Sequence, residues 1–70
     1  MISEFRYLLV EFYNGDDHIS GLYRTMEDVA AELHVQRKTI YNNKVLDKNY
    51  YRIVKNKQEY YIIDLKDKVN

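Results

Sequence analysis

Five residues in one short run, Gln36, Arg37, Lys38, Tyr41 and Asn42, carry the side chains best suited to chemistry in this sequence. That chemistry is hydrogen bonding to nucleic acid. Arg and Lys bond the exposed edge of guanine, and Asn and Gln bond adenine through a donor and an acceptor at once. Lys and Tyr also hold phosphates, which position a protein on a duplex without reading its sequence. The charge distribution singles out the same part of the chain. Met1 to Glu32 has two basic residues against seven acidic ones, a net of −5, whereas Leu33 to Gln58 has seven basic residues against Asp47 alone, a net of +6. The remainder, from Glu59, carries −1, so a chain of zero net charge contains one strongly basic third. Local potential, not the total, governs docking on a phosphate surface.

The other reactive side chains form no comparable pattern. Asp16, Asp17 and His18 lie together, but aspartate favours turns for its local hydrogen bonds, and a metal would need ligands from elsewhere. His34 has no nucleophile or partner acid at a suggestive spacing. With no cysteine there are no disulfides or thiolate metal sites, and the two glycines make no phosphate-cradling loop. The expectation is a binding protein with no metal, no cofactor and no catalytic residues, not an enzyme. Tyr50-Tyr51 and Tyr60-Tyr61 could stack on unpaired bases. Successive strand residues face opposite ways, so one of each pair is expected in the core and the other on the surface.

The elements that must position these residues can be read in order. Seventy residues make one domain, 1–70, and a chain this small buries only about 60% of the surface its unfolded form exposes. "FRYLLVEFY" is rich in strand formers and leads into Asn14-Gly15, which favours a tight type I′ turn. A return strand over His18–Arg24, with Gly21 at a bulge, completes a hairpin over 5–24. Its first strand is apolar on both faces: Phe5, Tyr7 and Leu9 on one, Leu8, Val10 and Phe12 on the other. Such a strand is either sandwiched or awaits a partner chain. The same run is interrupted by Arg6 and Glu11 and is too short to cross a bilayer, and no signal peptide is recognisable. A soluble, cytoplasmic protein is expected, and the lack of cysteine suits that setting.

Thr25 can cap a helix, with Asp28 three residues on, and Met26, Val29, Ala30 and Leu33 fall on one helical face. Val35 opens a second short helix whose Ile40 points back to the core. Ala30 gives the small residue a close helix crossing needs, and Val29, Leu33, Val35 and Ile40 give the apolar wall. This is the spacing of a helix-turn-helix over 25–44, and it leaves Gln36, Arg37, Lys38, Tyr41 and Asn42 on the outer face, where a recognition helix meets the major groove. A second hairpin over 50–65 comes next, with strands Tyr50–Lys55 and Glu59–Leu65. A two-residue loop would pair Ile53 with Tyr60 and a three-residue loop would pair it with Tyr61. "DLKDKVN" either adds a helical turn or frays.

The segment Thr25 to Val69 resembles the winged helix-turn-helix of excisionase-like DNA-binding proteins, small regulatory or DNA-bending proteins of phages and other mobile elements. "TMEDVAAELHV" looks like their opening helix, "QRKTIYNN" like their recognition segment, and "YYRIVKNKQEYYIIDLKDKV" like their wing, ending in Asp-Leu before a final helix. The resemblance implies that Arg37, Lys38 and Tyr41 contact the major groove and that Lys55 and Lys57, at the wing tip, reach a minor groove or phosphates. His34 stands where that family's turn usually has Gly, Gln36 where it has Ser, and Asn43 and Lys44 where an aliphatic usually anchors the second helix. The order of strand, Asn-Gly turn, strand and helix pair is also similar to DNA-binding modules attached to some homing endonucleases.

The expected fold is therefore α+β, a small winged helix-turn-helix with an N-terminal β-hairpin, two short helices and a C-terminal β-hairpin wing. The expected function is sequence-specific binding of double-stranded DNA, as a transcriptional regulator or excisionase-like architectural factor. Gln36, Arg37, Lys38, Tyr41 and Asn42 would read the major groove, while Lys44, Lys55 and Lys57 would hold phosphates or the minor groove. A module of this size buries only roughly 600–1,000 Å² on DNA, so a homodimer or a cooperative tandem array is expected, with the N-terminal hairpin as the candidate contact. The alternative, favoured by neutral charge and the acidic first half, is a protein-binding module, such as a phage inhibitor or anti-regulator, that uses the helix-turn-helix scaffold without binding DNA.

Overall fold

The computed structural model describes residues 5–13 and 15–66. Strands β1 (Tyr7–Tyr13) and β2 (Asp16–Tyr23) run antiparallel, with Tyr7 opposite Tyr23 and Leu9 opposite Gly21. Val10 then faces Ile19, so Ser20 is the extra residue of a bulge. Gly21 stands beside it, and a β-carbon there would lie 3.1 Å from the Tyr23 hydroxyl, so the tyrosine side chain would have to give by a few tenths of an ångström. Gly15 in the connecting turn has φ 79°, while Asn14, the other residue of the expected turn, lies outside the described residues.

Helix α1 (Met26–Leu33) starts where Thr25 Oγ1 accepts a hydrogen bond from the Asp28 amide, at 3.2 Å, with Glu27 and Asp28 complementing the helix dipole. It ends at His34, whose φ of 57° and ψ of 42° are left-handed. The amides of His34 and Val35 donate back to Ala31 and Ala30, the double bond of a Schellman cap. Helix α2 (Arg37–Tyr41) is five residues long and begins at Gln36, whose side chain makes no capping bond.

Strands β3 (Tyr50–Lys55) and β4 (Gln58–Asp64) form the second hairpin. Asn56 and Lys57 both have positive φ, 53° and 65°, the type I′ geometry, so the loop has two residues and Ile53 pairs with Tyr60. At the chain's end, Leu65 and Lys66 form a turn, and the expected final helix otherwise falls on residues 67–70, outside the described residues.

The assembly of these parts overturns the expected winged helix-turn-helix. The two hairpins are halves of one four-stranded antiparallel sheet in the order β2-β1-β4-β3. The second hairpin is no projecting wing, because β4 pairs along its length with β1, Leu9 opposite Ile62 and Val10 opposite Tyr61. The domain is dominated by its sheet, with helices of only eight and five residues. The physical reason is that β1 and β4 are both apolar on each face. Side by side they satisfy each other's backbone groups and avoid two hydrophobic edges.

The helices cover one face of this sheet. Tyr7, Leu9, Ile62, Tyr51 and Ile53 form its floor, and Met26, Val29, Ala30, Leu33 and Ile40 descend from the helices. Leu9, Val29, Ile40 and Ile62 are fully buried, each worth about 1.5–3 kcal/mol on the usual scale of burial. No helix among the described residues is long and apolar enough to cross a membrane.

The cap at His34 gives a test. A left-handed conformation costs a side chain about 1–2 kcal/mol and costs glycine little, partly offset by glycine's freer unfolded chain. His34→Gly is therefore expected to stabilise the protein by about 0.5–1 kcal/mol in urea denaturation. A destabilised variant would show that the imidazole makes a contact outweighing the backbone strain.

Candidate nucleic-acid interface

Helix α2 turns on Ile40, which is completely buried and fixes the rotation of its five residues. Gln36, Arg37, Lys38, Tyr41 and Asn42 consequently share one surface, all exposed and together lining one shallow concavity. Tyr41 is 49% exposed and its ring meets the edge of Tyr51, centroids 5.9 Å apart at 81°, so it presents its hydroxyl from a supported position. At a rise of about 1.5 Å per residue, α2 is only about 7.5 Å long.

The segment after α2 holds the helix in place. The Asn43 side-chain amide donates to the Thr39 carbonyl at 2.6 Å. The Asn43 carbonyl accepts from the Arg52 amide at 3.1 Å, the Val45 amide donates to Tyr50 at 3.0 Å, and Lys44 forms a bridge with Tyr51. Backbone pairing to the edge of β3 thus replaces the aliphatic anchor that positions 43 and 44 lack.

Arg37 and Tyr41 also form one wall of a second cleft, of about 300 Å³, whose other walls include Arg6, Arg24 and Glu27. Arg6 donates through Nε and Nη2 to the two carboxylate oxygens of Asp64, each at 3.0 Å, and its guanidinium stacks 5.3 Å from the Tyr7 ring centroid. Hydrogen bonding to Asp64 raises the Arg6 pKa above its ordinary value. Asp64 is 3% exposed and also accepts from the Lys66 amide at 3.1 Å. Arg24 lies over the ring of Phe5 at 5.6 Å. Burial pushes the Tyr7 phenol up to about 12, against an opposing effect of Arg6.

Sequence reasoning missed Arg6 and Arg24, because both stand in the acidic stretch. The signal was there in the hairpin: they flank the Tyr7–Tyr23 pair, and the Arg6 amide donates to the Tyr23 carbonyl at 2.9 Å.

The remaining cations are distributed differently. Lys44 is exposed on the bridge beside β3, and Lys57 is exposed in the β3–β4 turn. Lys55 is partly buried and its Nζ donates to the Leu33 carbonyl at the C-terminal end of α1, where a cation complements the dipole. It lines a separate depression with Glu11, Glu32 and His34. The structure therefore brings Arg37 and Tyr41 of the five α2 residues into one cleft with Arg6 and Arg24 and places Lys55 in a region of mixed charge. Compared with known proteins, the chain matches no family model, no curated protein and no solved structure.

Two measurements test this electrostatic frame. Breaking a buried ion pair costs about 3–5 kcal/mol, but Arg6, with its side chain 47% exposed, can rehydrate, so Asp64→Asn should cost about 2 kcal/mol in urea denaturation. A loss below about 0.5 kcal/mol would show that the pair holds nothing in place. Tyr7 gives a pH dependence. Its folded pKa of about 12 lies above the unfolded value near 10, so its contribution is fully present below about pH 10 and lost as pH rises through about 12. The melting temperature should fall over that window, and less steeply in Tyr7→Phe; equal slopes in the two proteins would refute the assignment.

Proposed function

We propose that this protein binds double-stranded DNA through the surface of α2, acting by binding and not by catalysis. The observation that carries the reading is the shared concavity of Gln36, Arg37, Lys38, Tyr41 and Asn42, five exposed groups able to bond bases or phosphates. Recognition helices meet base edges mainly with their N-terminal residues, so a short α2 can still offer Gln36, Arg37 and Lys38 to a groove. Lys44 beside α2, and Arg24 in the adjoining cleft, supply phosphate contacts; Lys57 reaches phosphate from the β3–β4 turn. Lys55 contributes mainly to potential, since its amine already serves α1. The likeness of the segment Thr25 to Val69 to excisionase-like proteins, carried for this purpose by "TMEDVAAELHV" and "QRKTIYNN", supports a regulatory or architectural role. Their winged fold forms no part of the proposal.

A protein-binding module is the second reading, and one observation favours it: Glu11 and Glu32 converge with Lys55 in one depression, a surface of mixed charge suited to a protein partner.

A titration of labelled duplex at several salt concentrations separates the two readings. With about four phosphate contacts, log K should fall with log salt at a slope of roughly −3 to −4. Arg37→Ala with Lys38→Ala should weaken binding at least about tenfold and flatten the slope while the fold is retained. If no duplex binds at low salt, or binding is indifferent to salt, the DNA reading fails; normal binding by the double variant would move the interface off α2.

A further inference from the structure

The helices cover only one face of the sheet, and the opposite face is just as apolar. Strand pairing sets out its residues as a grid of three rows. Leu22, Leu8, Ile63 and Tyr50 form the first row, and Ile19, Val10, Tyr61 and Arg52 the second. Asp17, Phe12, Glu59 and Val54 form the third. Nine of the twelve positions are apolar or tyrosine. Ile19 is 74% exposed, Val54 56%, Leu22 47% and Phe12 36%. A shallow depression of about 400 Å³ lies at the centre, between Val10, Phe12, Tyr50 and Tyr61. No helix or loop among the described residues crosses it.

We propose that this face is a dimer interface, on which a second copy of the chain packs sheet against sheet. Three residues per strand on four strands about 4.8 Å apart span roughly 20 by 19 Å, which side-chain relief raises to about 600 Å² of accessible surface. That is the upper end of what a monomer exposes in one apolar patch. Two such faces bury about 1,200 Å², the lower limit of a stable interface. A domain of this size, with one thin core, gains a second core by this route.

Charge selects the occupant and its orientation. The face carries two acids, Asp17 and Glu59, and one base, Arg52, which suits neither nucleic acid nor an anionic membrane. Arg52 bonds Glu59 within the same copy, and Glu59 also accepts from the Tyr61 hydroxyl at 3.1 Å. Asp17 lies on outer strand β2 and Arg52 on the opposite outer strand, β3. A two-fold axis parallel to the strands lays β2 of one copy over β3 of the other, bringing Asp17 close to Arg52 of the second copy. An axis across the strands would instead stack Arg52 on Arg52. Sheets packed face to face stand about 10 Å apart with strands near −30°, which this arrangement accommodates. Both α2 surfaces stay open, on opposite outer sides of the dimer.

Sedimentation of the free protein tests the interface independently of any DNA binding. The wild type should sediment as a dimer at micromolar concentration, and its melting temperature should rise with protein concentration. Ile19→Lys and Leu22→Lys sit at exposed positions of β2 and would set two cations against β3 of the second copy, around its Arg52. Together they should weaken dimerisation by at least about a hundredfold, with an unchanged circular dichroism spectrum. A wild type that sediments as a monomer with a concentration-independent melting temperature would overturn the proposal, as would a folded double variant that dimerises like the wild type. Loss of duplex binding with the dimer intact would strike only the DNA reading.

Discussion

The pairing of β1 with β4 is the constraint on which the rest of the molecule depends. Each hairpin alone would be marginal in water, since two strands bury too little to hold themselves. Joined through Leu9 and Ile62, they form a floor wide enough for Val29, Leu33 and Ile40 to bury against. The seam is locked at one end by charge and backbone together. Arg6 clasps Asp64 through two hydrogen bonds, and the Leu65 amide donates to the Arg6 carbonyl at 2.7 Å. The Asp64 amide donates to the Asn49 carbonyl, and the Asn49 side chain returns a bond to the Asp64 carbonyl. The residue that closes the seam therefore also sets where β3 begins.

That linkage reaches the candidate interface. β3 is the strand against which the chain after α2 lies, through Lys44–Tyr51 and the Asn43–Arg52 and Val45–Tyr50 hydrogen bonds. A five-residue helix has too few internal bonds to persist by itself. It is held from both sides, by the left-handed cap at His34 ahead of it and by the β3 edge behind it. The exposed α2 surface is in this sense a property of the sheet, and its orientation is set by a seam formed by residues far away in the chain.

The same dependence divides what could be read in the sequence from what could not. The local signals were legible: Thr25 with Asp28 as a cap, the apolar spacing of Met26, Val29, Ala30 and Leu33, and the turn at Asn56-Lys57. So was the grouping of residues 36–42, a consequence of Ile40 facing inward. The order of the strands was not legible, because the β1–β4 pairing joins segments at the two ends of the chain and no local pattern encodes it. The family resemblance filled that gap with a projecting wing, which the sheet replaces. Arg6 and Arg24 escaped notice for a related reason. Charge counted along the chain set them among acids, whereas strand pairing sets them beside α2.

Apolar residues on both faces of β1 signal either a sandwich or a missing partner, and the structure gives both halves of that signal a location. Tyr7 and Leu9 belong to the core beneath the helices, while Leu8, Val10 and Phe12 alternate onto the other face, where Val10 is buried among its strand neighbours and Phe12 is exposed. Alternate residues of the same strand thus serve different ends, one set the stability of the domain and the other its open face. A single substitution in β1 consequently acts on one or the other according to its parity, since a strand's side chains alternate strictly between faces. Any functional account of this protein must explain why Phe12, Ile19, Leu22 and Val54 are apolar although each is exposed on the face away from the helices.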